Sequence, residues 1–182
     1  MSELTILGIC GSLRAQSTNM TLLRYAQKNA PAGITLDIAD LNAVPFYNPD
    51  LTEKPTAVET LLTQIGKADA LLLACPEYNY SIAPALKNAL DWASREPNNQ
   101  LLAGKATAII GSGGGMGTSR AQYHLRQVGV CLDLHFLNKP EVFCNAFAGT
   151  FNNEGQLISE PIQQLLIQQL IALRDLALKL KA

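Results

Sequence analysis

Two hydrophobic periods alternate along this chain, and that alternation constrains its fold more than any single motif. Residues 4–10, 34–40, 69–75 and 105–111 are short runs rich in Ile, Leu, Val or Ala, each bounded by Gly, Pro, Asn or Ser, and each reads as a strand. Residues 19–30, 56–67, 84–94 and 118–128 lie between or after them and carry apolar residues at helical spacing. In 84–94, for instance, Leu86, Ala89, Leu90 and Ala93 form one stripe and Lys87 and Asp91 the opposite face. Pro84 falls where a first-turn amide would be unpaired anyway.

Strand and helix in strict alternation require parallel strands joined by right-handed crossovers. The unbroken hydrophobicity of 70–75 requires that the sheet be covered on both faces. The expected architecture is therefore α/β: a doubly wound, parallel, five-stranded sheet in a three-layer sandwich. Its fifth strand falls within 131–144, where Lys139-Pro140 obscures the ends. Ser159-Glu160-Pro161 opens a long closing helix whose stripe runs through Leu165, Leu166, Gln169, Leu170, Leu173, Leu176, Ala177 and Leu180. A chain of 182 residues fills one domain, 1–182, with a single well-buried core.

Composition narrows the function classes. The 14 basic and 15 acidic side chains leave a net charge of -1, without the basic footprint of a nucleic-acid binder. The longest apolar runs fall far short of the roughly 20 residues needed to span a bilayer. Met1-Ser2-Glu3-Leu4 has no basic stretch ahead of its first strand, so a cytoplasmic location is expected. Cys10, Cys75, Cys131 and Cys144 form no C-x-x-C pair and read as buried free thiols. His124 and His135 match no metal spacing and are assigned to structure or an interface, so no metal site is expected.

In open α/β sheets ligands sit beyond the carboxyl ends of the strands, where three loops here are unusual. The first runs from Gly11 to Asn19. Ser12, Ser17 and Thr18 supply hydroxyls, Arg14 a guanidinium and Asn19 an amide beside the free amides of a helix start, a set suited to a phosphate dianion. Ser17 or Thr18 as a plain helix cap uses the same residue types, and that reading stays open. The loop lacks the triphosphate-binding G-x-x-x-x-G-K-[ST] pattern, and Gly8-Ile9-Cys10-Gly11 does not extend to G-x-G-x-x-G, so a mononucleotide fits better than a dinucleotide. Asp40, at the end of the second strand, is the one feature pointing the other way.

The second loop, Pro76-Glu77-Tyr78-Asn79-Tyr80-Ser81, sets flat apolar faces beside backbone amides, as a heteroaromatic ring with polar edges needs. The alternatives are that Tyr78 and Tyr80 only pack against a neighbouring loop or subunit and that Glu77 is a solvated or interface charge. The third loop contains Ser112, Gly113, Gly114 and Gly115, followed by Met116-Gly117. Such a glycine run lets backbone pass close to a ligand, at an entropic cost that a plain surface turn has no reason to bear; the alternative is a merely flexible loop.

Gly11-Ser12-Leu13-Arg14 with Ser17 and Asn19, Pro76-Glu77-Tyr78-Asn79, the run from Leu86 to Arg95, and the run from Arg120 to Gln127 together resemble the NADPH-dependent FMN reductase family of quinone, azo-dye and chromate reductases, from Leu4 to about Asn145. The resemblance implies a flavodoxin-like fold with bound FMN and NAD(P)H as co-substrate. Ser12, Arg14, Ser17 and Asn19 would hold the phosphate; Pro76, Glu77, Tyr78 and Asn79 would border the ring, with 112–115 on its other side. It implies dimers, often paired into tetramers, with 87–95, including Trp92, at the subunit boundary. Tyr80 stands where the family most often has glycine, and Gly113 where it usually has proline. No side chain need act as acid or base, because the hydride chemistry is the cofactors' own. The rivals are a flavodoxin-type electron carrier without nicotinamide activity and a non-catalytic binding module.

Overall fold

The computed structural model describes residues 3–182; the reading of the first two residues as free of a targeting signal lies outside them. β1 (Leu4–Cys10), β2 (Ile34–Ile38), β3 (Ala70–Ala74) and β6 (Ala106–Gly113) form the parallel sheet, crossed over by α1 (Thr18–Lys28), α2 (Thr56–Lys67) and α3 (Pro84–Ala93). A small hairpin, β4 (Glu77–Tyr78) and β5 (Ser81–Ile82), is inserted between β3 and α3. After β6 come α4 (Ser119–Cys131), β7 (His135–Phe136), β8 (Val142–Asn145) and α5 (Glu160–Lys181). The order across the sheet is β2-β1-β3-β6, with β7 and β8 sharing the far edge of β6.

The expected fifth strand is thus two short ones in line. β7 pairs with the start of β6 at Ala106–Thr107 and β8 with its end from Ile110 to Gly113. The interruption contains Pro140, which has no amide to give to a ladder.

The sheet is covered on both faces because its strands are apolar on both. Leu7, Ile9, Leu71, Leu73 and Ile109 face α2, α3 and α4; Ile6, Cys10, Leu72, Ala74 and Ile110 face α1 and α5. Every residue of β3 is buried, each leucine worth about 2 kcal/mol of transfer free energy. Helices pack close where a side chain is missing: a Cβ on Gly129 of α4 would meet the Phe136 ring at 1.9 Å. Of the expected stripe on α5, Leu166, Gln169, Leu170, Leu173 and Ala177 are buried and Leu180 is exposed.

Two expectations change. Trp92 is only 5% exposed within the chain itself: its indole N–H donates to the Pro45 carbonyl at 2.8 Å and its ring meets Tyr47 edge-on. The 45–47 segment therefore covers Trp92, leaving little of it to meet another subunit. Cys131 is exposed at the end of α4, whereas Cys10, Cys75 and Cys144 are buried free thiols.

Candidate functional site

Because the strands run parallel, the loops after β1, β3 and β6 emerge at one edge of the sheet, and polar contacts stitch them together. In the first, Ser17 is the N-cap of α1: its Oγ accepts from the Met20 amide at 3.2 Å. The capping role left open by the sequence is real, and it leaves the amides of Thr18 and Asn19 without a partner among the described residues. Ser12 is buried and its Oγ accepts from the Arg14 amide, while the Arg14 guanidinium is exposed and makes no ion pair among the described residues. Two hydroxyls, two free amides and a free cation at one helix start are what a phosphate dianion needs.

Asn19 is differently employed. Its amide nitrogen donates to the Ser112 carbonyl at 2.8 Å and its oxygen accepts from the Ser112 amide at 2.9 Å, locking the first loop to the third across 93 residues of sequence. With both ends of the side chain occupied, Asn19 positions the two loops, and its backbone amide is what remains for a ligand.

The second loop is the β4–β5 hairpin. Its two-residue turn, Asn79-Tyr80, has φ of 51° and 64°, the left-handed pair such tight hairpins demand. That conformation explains why glycine is the expected residue at position 80, and tyrosine there carries roughly 1 kcal/mol of strain. The Tyr80 ring lies 4.2 Å from the Arg120 guanidinium carbon, a cation–π contact that offsets part of the strain. Glu77 is not a freely solvated charge, since its carboxylate is mostly covered and has partners inside the chain. One carboxylate oxygen accepts from the Arg120 and Ala121 amides at 3.1 and 3.2 Å, and the other from the Arg120 guanidinium at 3.2 Å. Thr118, at the N-cap position of α4, makes no side-chain cap bond, so Glu77 caps that helix from the hairpin.

In the third loop the glycines divide into two classes. A Cβ on Gly111 would lie 1.7 Å from Thr118 Oγ1, and one on Gly113 would lie 2.5 Å from the Gly117 carbonyl oxygen; these two are required by the chain's own packing. Gly114 and Gly115 face open space, with nothing within 4 Å of an added Cβ, and neither has a positive φ. Nothing inside the protein calls for glycine at either. Beside them, Ser112 is buried, its Oγ against the Cys144 thiol and away from the open space over the glycines. Two bare stretches of backbone fit a flat ligand with polar edges resting on this loop.

The structure brings Ser12, Arg14, Ser17, Thr18 and Asn19 together at the first loop and Pro76, Glu77, Tyr78 and Asn79 at the second. The first and second loops touch at Gly11, where a Cβ would sit 2.9 Å from the Pro76 ring. Sequence reasoning missed the segment 146–155, which walls a cavity of about 450 Å³ against Ser17, Thr18 and Thr21; the Gly155 carbonyl accepts from Thr21 Oγ1 at 3.2 Å. It also missed Arg24, which lines that cavity and a polar crevice of about 760 Å³ beside Asp37 and Asp40. A helical spacing of seven residues from Ser17 to Arg24 was the available signal. No titratable nucleophile is poised at the site: burial, with the Glu77 charge nearby, pushes the Cys75 thiol up to about 12. Among the described residues no cluster of three His, Cys, Asp or Glu could hold a metal ion.

Comparison with known proteins bears on which ligand and which reaction this edge serves. The family model described as NADPH-dependent FMN reductase matches residues 4–149. An NAD(P)H:quinone oxidoreductase of Solanum tuberosum is 49% identical over 184 residues, covering 97% of this chain and 94% of that protein. An NAD(P)H-dependent FMN reductase of Pseudomonas aeruginosa is also 49% identical, covering 94% of each. Among solved structures, FerB, a flavoenzyme NAD(P)H:(acceptor) oxidoreductase from Paracoccus denitrificans, superposes with a TM-score of 0.87 at 30% identity, over 97% of this chain and 98% of that one. A flavodoxin from Pseudomonas aeruginosa, at TM-score 0.64 and 14% identity, shares the fold.

Proposed function

The chain belongs to the NADPH-dependent FMN reductase family, and on that premise we propose that the three stitched loops are its FMN site and that a quinone is its principal acceptor. The protein is an FMN-dependent oxidoreductase with NAD(P)H as co-substrate, and the electron-carrier alternative is not favoured. The chemistry a bound FMN supplies is acceptance of hydride from the nicotinamide and its onward delivery as two electrons.

The chain's own residues bind and orient. Arg14, the Thr18 and Asn19 amides and the Ser12 and Ser17 hydroxyls take the phosphate; Pro76, Glu77, Tyr78 and Asn79 border one side of the ring, and 112–115 the other. Glu77 does so indirectly, by fixing the hairpin to α4. The observation that carries the assignment is the coincidence, on one edge, of an unpaired guanidinium, unpaired helix-start amides and glycines the protein itself does not need. Because one open face serves both nicotinamide and acceptor, the reading includes a ping-pong sequence.

Quinone as acceptor is supported by the names of the Solanum tuberosum relative and of a 2-hydroxy-1,4-benzoquinone reductase from Burkholderia, 38% identical. A homodimer, or a homotetramer built from two, is supported by exposed apolar side chains outside the cofactor loops' own contacts, among them Met116 and Phe147. None of the described helices is long and apolar enough to cross a membrane, and we place the enzyme in the cytoplasm.

The test is steady-state kinetics of the FMN-loaded protein with NADPH and benzoquinone, paired with Arg14→Ala. Parallel initial-rate lines are expected; intersecting lines overturn the ping-pong sequence. Arg14→Ala is expected to weaken FMN binding by about 10- to 100-fold while leaving riboflavin affinity unchanged. Equal losses for both ligands overturn the phosphate assignment.

A further inference from the structure

Beside the three loops, on the side of the sheet covered by α3, lies a cavity of about 480 Å³. Its walls come from the segments after β1, β2 and β3: Leu13 from the first, Leu41, Val44 and Phe46 from the second, Tyr78 and Ala85 from the third. No residue of the glycine loop after β6 lines it. It opens at the crevice between β1 and β3, where the crossovers leave for opposite faces of the sheet, and Leu13 and Tyr78 line its mouth.

The lining is apolar, and its one amide side chain is already satisfied. Asn88 Oδ1 accepts from the Tyr47 amide at 2.8 Å, and its Nδ2 donates to the Pro45 carbonyl at 2.9 Å. Apart from Arg14 at the rim, assigned above to the phosphate, the walls present no free charge. An occupant that needs no hydrogen bonds and has the volume of a small ligand satisfies such walls. Phe46, 75% exposed, overhangs the mouth although apolar residues of that size are ordinarily covered when a partner for them is at hand.

We propose that this cavity is a side pocket for the hydrocarbon substituent of an alkylated quinone, with Phe46, Val44 and Ala85 setting the length of chain accepted. The inference rests on the quinone-reductase reading and deepens it: the quinone head lies on the open face by Tyr78, and its substituent turns between the 41–46 segment and the start of α3. Selectivity then comes from apolar burial, which each added methylene extends until the cavity is full.

The experiment is a series of 2-alkyl-1,4-benzoquinones, from unsubstituted to hexyl, at concentrations below micelle formation, with the FMN-loaded wild type, Phe46→Ala and Ala85→Leu. In the wild type kcat/KM is expected to rise by about two- to fourfold per methylene and then level off, the change residing in KM. Ala85→Leu, which fills the pocket, is expected to end the rise at a shorter chain, and Phe46→Ala to flatten it, while both variants reduce unsubstituted benzoquinone at the wild-type rate. That unsubstituted rate tests the underlying reading separately, since its absence in the wild type would remove the reductase assignment itself. A wild-type profile flat with chain length overturns the proposal. So does a fall in FMN affinity in Ala85→Leu, which would give the cavity to the flavin, or a shift of Phe46→Ala to a smaller species in sedimentation, which would give it to a second copy of the chain.

Discussion

Adding a methyl group at Gly114 separates what the fold needs from what the cofactor needs. With nothing within 4 Å of the new Cβ and no positive φ to strain, Gly114→Ala is compatible with the chain as it stands. Such a substitution restricts the unfolded chain more than the folded one and stabilises by about 0.4–1 kcal/mol. In a domain of this size that raises the apoprotein's melting temperature by roughly 1–4 °C. If the flavin ring rests on this backbone, the methyl group occupies the ring's own contact distance, and overpacking of that kind costs about 1–3 kcal/mol. FMN affinity should then fall by about 5- to 100-fold. Titrating apoprotein with FMN by fluorescence quenching, for Gly114→Ala, Gly115→Ala and wild type, measures the second effect, and thermal melts of the same apoproteins measure the first. Gly111→Ala is the control of opposite kind, since its Cβ would strike Thr118 Oγ1 at 1.7 Å and the Cys75 carbonyl oxygen at 2.9 Å; it should unfold at lower temperature with or without FMN. Unchanged FMN affinity in both Gly114→Ala and Gly115→Ala would refute the reasoning, because the open space over these residues would then be no part of the cofactor site.

Glu77→Ala removes a charged cap from α4 and should cost about 2 kcal/mol, lowering the melting temperature by roughly 4–8 °C, with Glu77→Gln losing about half as much; equal melting of all three forms would show that the cap carries no stability. Native protein should react with a thiol reagent at Cys131 alone and at all four cysteines once denatured, since the other three are buried and the Cys75 thiol is pushed up to about 12; rapid reaction of more than one native thiol contradicts this. Burial alone would raise the Asp69 carboxyl, but the Lys181 ammonium and the Thr5 amide hold it below the usual carboxylate range. Its contribution is therefore fully present above the unfolded value of about 3.9 and is lost as pH falls through the lower folded value. The stability difference between wild type and Asp69→Asn, read by urea melts from pH 7 to 3, should be constant down to about pH 5 and shrink below it; a difference that grows toward acid has the wrong sign.

The parts of this fold that were legible in the sequence are those specified by local period. Leu86, Ala89, Leu90 and Ala93 fall on one stripe of a 3.6-residue repeat, and all four are buried. The run through β3 is apolar at every position, and both faces of it are covered. What escaped was set by contacts between distant residues. The fifth strand could not be delimited because its two halves pair with opposite ends of β6 around Pro140. Trp92 sits on a helix whose period says only that one face is buried, and the 45–47 segment that covers it lies more than forty residues away. The hairpin turn at Asn79-Tyr80 lacks the Asn-Gly signature by which such turns are recognised, so its left-handed pair showed only in the backbone.

The candidate site was legible in composition and illegible in its division of labour. Ser17, Asn19, Glu77 and Gly111 have the residue types a ligand would recruit, yet each has a partner inside the protein: a helix amide, the Ser112 backbone, the start of α4 and Thr118. These contacts hold the three loops in place without a ligand, so the edge is ordered before anything binds and its ordering need not be supplied by binding energy. Arg14, the Thr18 and Asn19 amides, Gly114 and Gly115 are left over, with no internal use for their charge, hydrogen-bonding capacity or missing side chain. Residue type alone could not separate the two groups, because a phosphate and a helix start ask for the same hydroxyls and a ring and a tight turn ask for the same glycines. Only the neighbours of each residue do so, and the residues without neighbours fall on the first and third loops, which the Asn19–Ser112 pair holds side by side at one edge of the sheet.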